Sequence, residues 1–234
     1  MFQIKICGIT SAEDARLAAR AGADAVGLNF YAASPRYVDP RGAMAVVEAL
    51  PLGIVKTGVF VNATASQICG TSERLQLDLV QAHGDEPPEL LRQLSDLTDL
   101  PVIKAFRVGP GGLDEVLKYL DECRGLGCLP RMVMFDARSR SANGDAYGDA
   151  YGGTGERADW MLAARFTALH DLPPLVLAGG LSEANVADAI RTVRPAAVDV
   201  ASGVEITPGR KDPARVAGFV TAARTAFDNL RLSG

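Results

Sequence analysis

Apolar positions come in short alternating bursts along the chain, separated by stretches with helical spacing. The first burst, "QIKIC" at Gln3–Cys7, places Ile4 and Ile6 on one face of a strand and Lys5 and Cys7 on the other. One face is apolar, and the other holds a charge and a thiol. Such a strand needs a fold that encloses its second face. Further Val-, Ile- and Leu-rich runs predict strands at Ala25–Phe30, Lys56–Val61, Leu79–His83, Val102–Phe106, Met132–Asp136, Leu175–Ala178 and Ala197–Ala201. Between them, helices are expected over Ser11–Ala21, Ala43–Ala49, Ala65–Leu75, Glu86–Leu94, Leu113–Glu122, Asp159–Leu169 and Ser182–Thr192, with a last one over Ala214–Asn229. Thr10 or Ser11 before Glu13-Asp14, and Ser182 before Glu183, have the chemistry of helix N-caps.

Eight such units, each about 29 residues long, have the rhythm of an α/β (β/α)8 barrel, one domain over residues 1–234. An open doubly wound sheet is the rival. It usually carries fewer repeats and a G-x-G-x-x-G turn, and neither that turn after the first strand nor a G-x-x-x-x-G-K-[ST] loop is present. In a barrel the inward faces meet, and chemistry gathers where the strands end and the loops begin. Cys7 then sits at the mouth with Lys5 one layer below. A buried lysine needs a partner. Strand eight closes against strand one, so Asp199 of "AVDVAS" is the expected partner of Lys5.

The strand ends supply the remaining candidates. Gly179-Gly180 and Ser202-Gly203 follow adjacent strands, and loops seven and eight are the usual phosphate site of such barrels. Glycines let backbone N–H groups approach an oxyanion, and a short helix N-terminus adds its dipole. Asp136 ends strand six, either as a cap or as a working carboxylate. The loop after it, about residues 137–157, carries "GDAY" twice in tandem and has no apolar run, so a lid-like role is expected. His83 ends strand four, where a histidine is either structural or a ligand contact. Arg36 lies after strand two, where a guanidinium fork suits a carboxylate.

Composition narrows the partners. The chain is 48% hydrophobic with a net charge of −4, which gives no basic surface for nucleic acid or anionic lipid. The start lacks the pattern of a signal peptide, and no run approaches the roughly 18 apolar residues of a membrane span. A cytoplasmic location, a small-molecule ligand and no obligatory protein partner are expected. The cysteines Cys7, Cys69, Cys123 and Cys128 form no C-x-x-C pair, and the histidines are His83 and His170 alone, so neither a metal site nor a disulfide framework is expected. Cys69 reads as a small buried hydrophobe. Cys123 and Cys128 are either buried or exposed by their loop.

The segments "KICGIT", "GADAVGLNFYAASPRYV", "TGVFVN", "QAHGDE", "FDA", "GGTG", "LAGGLSEANV" and "VDVASGVEITPGRKD" resemble, in order, the signatures of phosphoribosylanthranilate isomerases. The resemblance runs from Lys5 to Asp212. It implies a (β/α)8 barrel and an Amadori rearrangement in tryptophan biosynthesis, without a cofactor. N-(5-phosphoribosyl)anthranilate would become 1-(2-carboxyphenylamino)-1-deoxyribulose 5-phosphate. The resemblance also implies Cys7 as general base and Asp136 as general acid. Arg36 would hold the anthranilate carboxylate, with His83 at the substrate and Gly179, Gly180, Ser202 and Gly203 at its phosphate. A base of this kind works as a thiolate, so a lowered thiol pKa would help it. The doubled "GDAY" departs from the family's usual loop length. Two alternatives are a histidine-pathway aminoaldose–ketose isomerase and a non-catalytic sugar-phosphate-binding barrel. The first family tends to place an aspartate at the end of strand one, where this chain has Cys7, and the second would be expected to lose Cys7 or Asp136.

Overall fold

The computed structural model describes residues 2–108, 112–137 and 159–232. Its parallel strands are β1 (Ile4–Cys7), β2 (Ala25–Asn29), β3 (Val55–Phe60), β4 (Leu79–Ala82), β5 (Val102–Val108), β6 (Met132–Ala137), β7 (Leu175–Leu177) and β8 (Ala197–Val200). They close into a barrel in chain order, with β1 beside β8. Every strand overlaps the run expected for it. Beyond Ala137, the expected lid-like loop lies outside the described residues, together with both "GDAY" copies and "GGTG".

The period-two pattern separates the two faces of the barrel wall. Ala25, Leu79, Ile103, Met132, Met134 and Val176 meet inside. Ile4, Ile6, Val80, Val133, Phe135 and Val198 face outward into the layer shared with the helices. Lys5, on the inner face, is fully buried, and its Nζ lies 2.7 Å from Asp199 Oδ1, the residue in register with it on β8. Burial alone would push the ammonium down. Asp199 and the neighbouring Cys7 overcome this and hold its pKa above the usual lysine value. Removing one member of a buried pair leaves an uncompensated charge. Lys5→Met should therefore cost about 3–5 kcal/mol of stability, and Lys5→Met/Asp199→Asn less than the sum of the single changes. A urea-unfolding double-mutant cycle checks this, and zero coupling would leave the contact without energetic weight.

The helices are α1 (Ala12–Ala21), α2 (Pro40–Ala49), α3 (Ala65–Leu75), α4 (Pro88–Leu97), α5 (Leu113–Gly125), α6 (Trp160–Thr167), α7 (Val186–Val193) and α8 (Pro213–Leu232). Ser11 caps α1 by accepting from the Asp14 N–H, and Thr64 with Gln67 forms a capping box on α3. Ser182 does not cap α7, which begins at Val186 with Asn185 in the cap position. The Asn185 amide accepts from the Ser182 N–H and donates to the Gly180 carbonyl, so it fastens the loop after β7 instead. After β8 come a single 3-10 turn, Ser202–Val204, and a small hairpin of β9 (Glu205–Thr207) and β10 (Arg210–Lys211) that the polar pattern did not suggest. Cys123 and Cys128 are buried together against Leu91, while Cys69 is half-buried. Among the described residues, no helix is long and apolar enough to cross a membrane.

Candidate active site

One pocket opens at the C-terminal ends of the strands. Cys7, Arg36, His83, Asp136, Gly179, Gly180, Ser202 and Gly203 all line it, so the barrel gathers every site residue the sequence suggested. Asn29 and Asp199 join them. Strand ends place Cys7, His83 and Asp136 there, while Arg36 reaches the mouth from the loop after β2.

Cys7 ends β1, opposite Gly27 of β2. A Cβ at Gly27 would come within 2.6 Å of Cys7 Sγ and 3.1 Å of Lys5 Nζ, so the glycine makes room for both side chains. Burial pushes the thiol pKa up, the ammonium groups of Lys5 and Lys211 pull it down, and Asp199 opposes them. The net direction is upward, the reverse of the lowering that would help a thiolate base. The cause is desolvation of the anion inside the barrel.

Asp136 is the last residue but one of β6 and lines the same pocket as Cys7. It is buried, and its Oδ2 lies 3.2 Å from His83 Nε2. His83 Nδ1 in turn lies 2.6 Å from Gln81 Nε2. The histidine is thus held between an amide below and a carboxylate beside it.

Arg36 is buried and grips Glu205 of β9, through Nε at 2.9 Å and Nη2 at 2.7 Å. Its stem crosses Gly8, which adopts φ 72°, and a Cβ there would come 2.6 Å from Arg36 Cδ. Only glycine fits both the turn and the close approach. Loop two is tied as well. Ser34 Oγ accepts from the Arg36 N–H and from Asn29 Nδ2. Glu205 also takes Lys211 Nζ at 2.8 Å, and that ammonium reaches the Cys7 carbonyl at 2.5 Å. Burial would raise the Glu205 pKa, but Arg36 and Lys211 hold it below the usual carboxylate value. Burial, partly offset by Glu205, leaves the Lys211 pKa below the usual lysine value. The β9–β10 hairpin therefore braces both the arginine and the backbone at Cys7.

On the far side of the pocket, Gly179 and Gly180 have φ 86° and 63°, which turns the chain sharply after β7. Among the described residues, their N–H groups donate to no other backbone or side-chain acceptor. Such a turn presents donors to an oxyanion. Sequence reasoning did not single out Glu205, Lys211 or Gln81. Glu205 and Lys211 stood within "VEITPGRKD", and Gln81 shares the inward parity of His83, so a signal existed for each.

A family model described as N-(5'phosphoribosyl)anthranilate (PRA) isomerase matches residues 4–222. A relative of that name from Geobacter sulfurreducens is 44% identical over 225 residues, covering 96% of this chain and 99% of its own. One from Azotobacter vinelandii is 45% identical over 95% of this chain and 97% of its own. Among solved structures, a phosphoribosyl anthranilate isomerase in complex with reduced 1-(o-carboxyphenylamino)-1-deoxyribulose 5-phosphate matches with a TM-score of 0.78 and 35% identity, over 96% of this chain and all of that one. The Thermus thermophilus enzyme matches with a TM-score of 0.78 and 30% identity, over 95% of this chain and 98% of its own. These matches bear the isomerase's name rather than that of the histidine-pathway alternative. The chain belongs to the N-(5'-phosphoribosyl)anthranilate isomerase family, the enzymes that convert N-(5-phosphoribosyl)anthranilate to 1-(2-carboxyphenylamino)-1-deoxyribulose 5-phosphate in tryptophan biosynthesis.

Proposed function

We propose that the chain carries out this isomerisation with Asp136 as general acid and Cys7 as general base. The substrate is a cyclic aminal. Asp136 gives its proton to the ring oxygen, the C1′–O bond breaks, and a cationic imine forms between C1′ and the anthranilate nitrogen. The imine acidifies the proton on C2′, and the Cys7 thiolate removes it. The resulting enolamine tautomerises to the ketose, so no atom is gained or lost. The observation that carries the reading is the placing of Cys7 and Asp136 on β1 and β6 in one pocket, with Arg36 and the Gly179–Gly180 turn around them. That pocket offers a guanidinium for a carboxylate and backbone donors for a phosphate, the two anionic ends of the substrate. His83, Ser202 and Gly203 complete the contacts to substrate. Binding of the reduced product by a solved relative supports a phosphorylated ligand here. Expression of the chain should restore growth without tryptophan to a strain lacking this isomerase. A folded, soluble chain that failed to do so would overturn the reading.

Arg36 gives a sharper test. A charge-assisted hydrogen-bonding contact contributes about 1.5–3 kcal/mol, so Arg36→Ala should raise KM roughly 10- to 100-fold. Arg36→Lys keeps a cation near Glu205 but loses the planar fork, and should recover little of the affinity. The alanine variant should also discriminate less against a substrate amide that lacks the carboxylate charge. Unchanged discrimination would move the carboxylate site elsewhere in the mouth.

A further inference from the structure

Gln81 lies on β4, two residues below His83, and is fully buried. Its Nε2 approaches His83 Nδ1 at 2.6 Å and Met134 Sδ at 3.3 Å. Its Oε1 is buried and has no hydrogen-bond partner among the described residues. An orphaned buried amide oxygen costs stability, and a leucine of similar size would avoid that cost. The useful end of the amide is therefore the one that meets the histidine.

Met134 Sδ can only accept, which sets Gln81 Nε2 as the end of the amide that faces both it and the ring; Gln81 Nε2 then donates to Nδ1, and that ring nitrogen carries a lone pair. The proton of a neutral ring must then sit on Nε2, which faces Asp136 Oδ2 at 3.2 Å. We propose that Gln81 is a positioning residue for the general acid, fixing the His83 tautomer whose Nε2–H occupies Oδ2 of Asp136. This rests on the reading of Asp136 as the acid. With Oδ2 taken by a donor, the transferable proton of Asp136 is carried on Oδ1. After transfer, the same Nε2–H steadies the carboxylate that remains. In the other tautomer Nε2 is a lone pair. Asp136 would then donate its proton to the histidine, and the acid would be held away from the substrate. A glutamine can enforce the productive tautomer without adding a charge to the barrel interior. A glutamate in its place can only accept, so it selects Nδ1–H and with it the wrong tautomer or an imidazolium.

His83 and His170 are the histidines of the chain, so nitrogen-15 NMR of the ring nitrogens separates them readily. In the wild-type protein at mildly alkaline pH, His83 should show one tautomer, with bare Nδ1 and protonated Nε2. Gln81→Leu should show a mixture of tautomers, with kcat lowered at least about 10-fold and KM changed by less than about threefold. Gln81→Glu should place a proton on Nδ1 and lower kcat further. A mixed or opposite tautomer in the wild type would overturn the proposal even if the variants failed to fold. So would a Gln81→Leu protein that lost activity with its tautomer unchanged, or one that changed tautomer and kept its kcat. Asp136→Asn separates this from the underlying reading. If that variant keeps its turnover, the acid assignment fails. If it is inactive while Gln81→Leu keeps wild-type tautomer and rate, only the role of Gln81 fails.

Discussion

Asp136→Asn should lower kcat by at least about 10²-fold, the scale on which a positioned general acid contributes. The amide has nearly the shape of the carboxyl group but no proton acidic enough to open the sugar ring. Ring opening comes first in the sequence, so without it no imine forms and the C2′ proton stays inert. Both chemical steps are lost through one group. The side chain closes a strand whose neighbours are set by backbone pairing along β5–β6–β7. The barrel should therefore fold normally, with an unchanged circular dichroism spectrum. His83 Nε2–H can still donate to the amide oxygen of the new side chain, so the mouth keeps its shape. A reduced product analogue should bind within a few-fold of wild type. Turnover near the wild-type rate would move the acid elsewhere. Activity lost together with the fold would leave Asp136 a structural residue.

The barrel and the membership of its mouth were legible in the sequence for one reason. A parallel strand buried on both faces still alternates, and parity assigns each residue to the helix side or the interior. Lys5 and Asp199 follow from that parity plus closure of β8 on β1. Cys7, His83, Asp136 and the two glycine turns follow from standing at strand ends. What stayed hidden depends on contacts remote in sequence. Arg36 and Glu205 are 169 residues apart, and Lys211 meets the Cys7 carbonyl across 204. Short polar hairpins such as β9–β10 have no apolar alternation to announce them. Ser182 and Asn185 both have cap chemistry, and local pattern cannot choose between them. The loop after β7 decides, because Asn185 can reach the Gly180 carbonyl and the Ser182 N–H at once. Gln81 is a different case. Parity places it inside the barrel, but its use lies in which ring nitrogen it touches, a matter of atoms rather than pattern.

Arg36 shows how the hairpin changes a sequence-level expectation. As a lone mouth arginine it reads only as a carboxylate ligand. In the fold it is gripped by Glu205, and Glu205 is in turn held ionised by Arg36 and Lys211. A guanidinium held in a fixed plane loses little side-chain freedom when a ligand arrives, so the buried carboxylate preorganises it.

Cys7→Ser should lower kcat by at least about 10²-fold, because a serine hydroxyl yields almost no alkoxide near neutral pH. Product-analogue affinity should hold within a few-fold, since sulfur and oxygen occupy the same place. The direction of the Cys7 pKa adds a second arm to this test. Burial raises it, against the pull of Lys5 and Lys211. This direction sets a sign for stability. A raised folded pKa means that the native state binds the proton more tightly than the unfolded chain, whose thiol titrates near about 8.5. The stabilisation is fully present below that pH and is lost as pH rises through the folded value. Wild type should therefore lose stability relative to Cys7→Ser as pH rises above about 8.5 in urea unfolding, with Cys69, Cys123 and Cys128 common to both proteins. A gap that stayed constant over that range would show that the buried thiol titrates normally. Near-wild-type turnover of the serine variant would show that Cys7 serves packing alone.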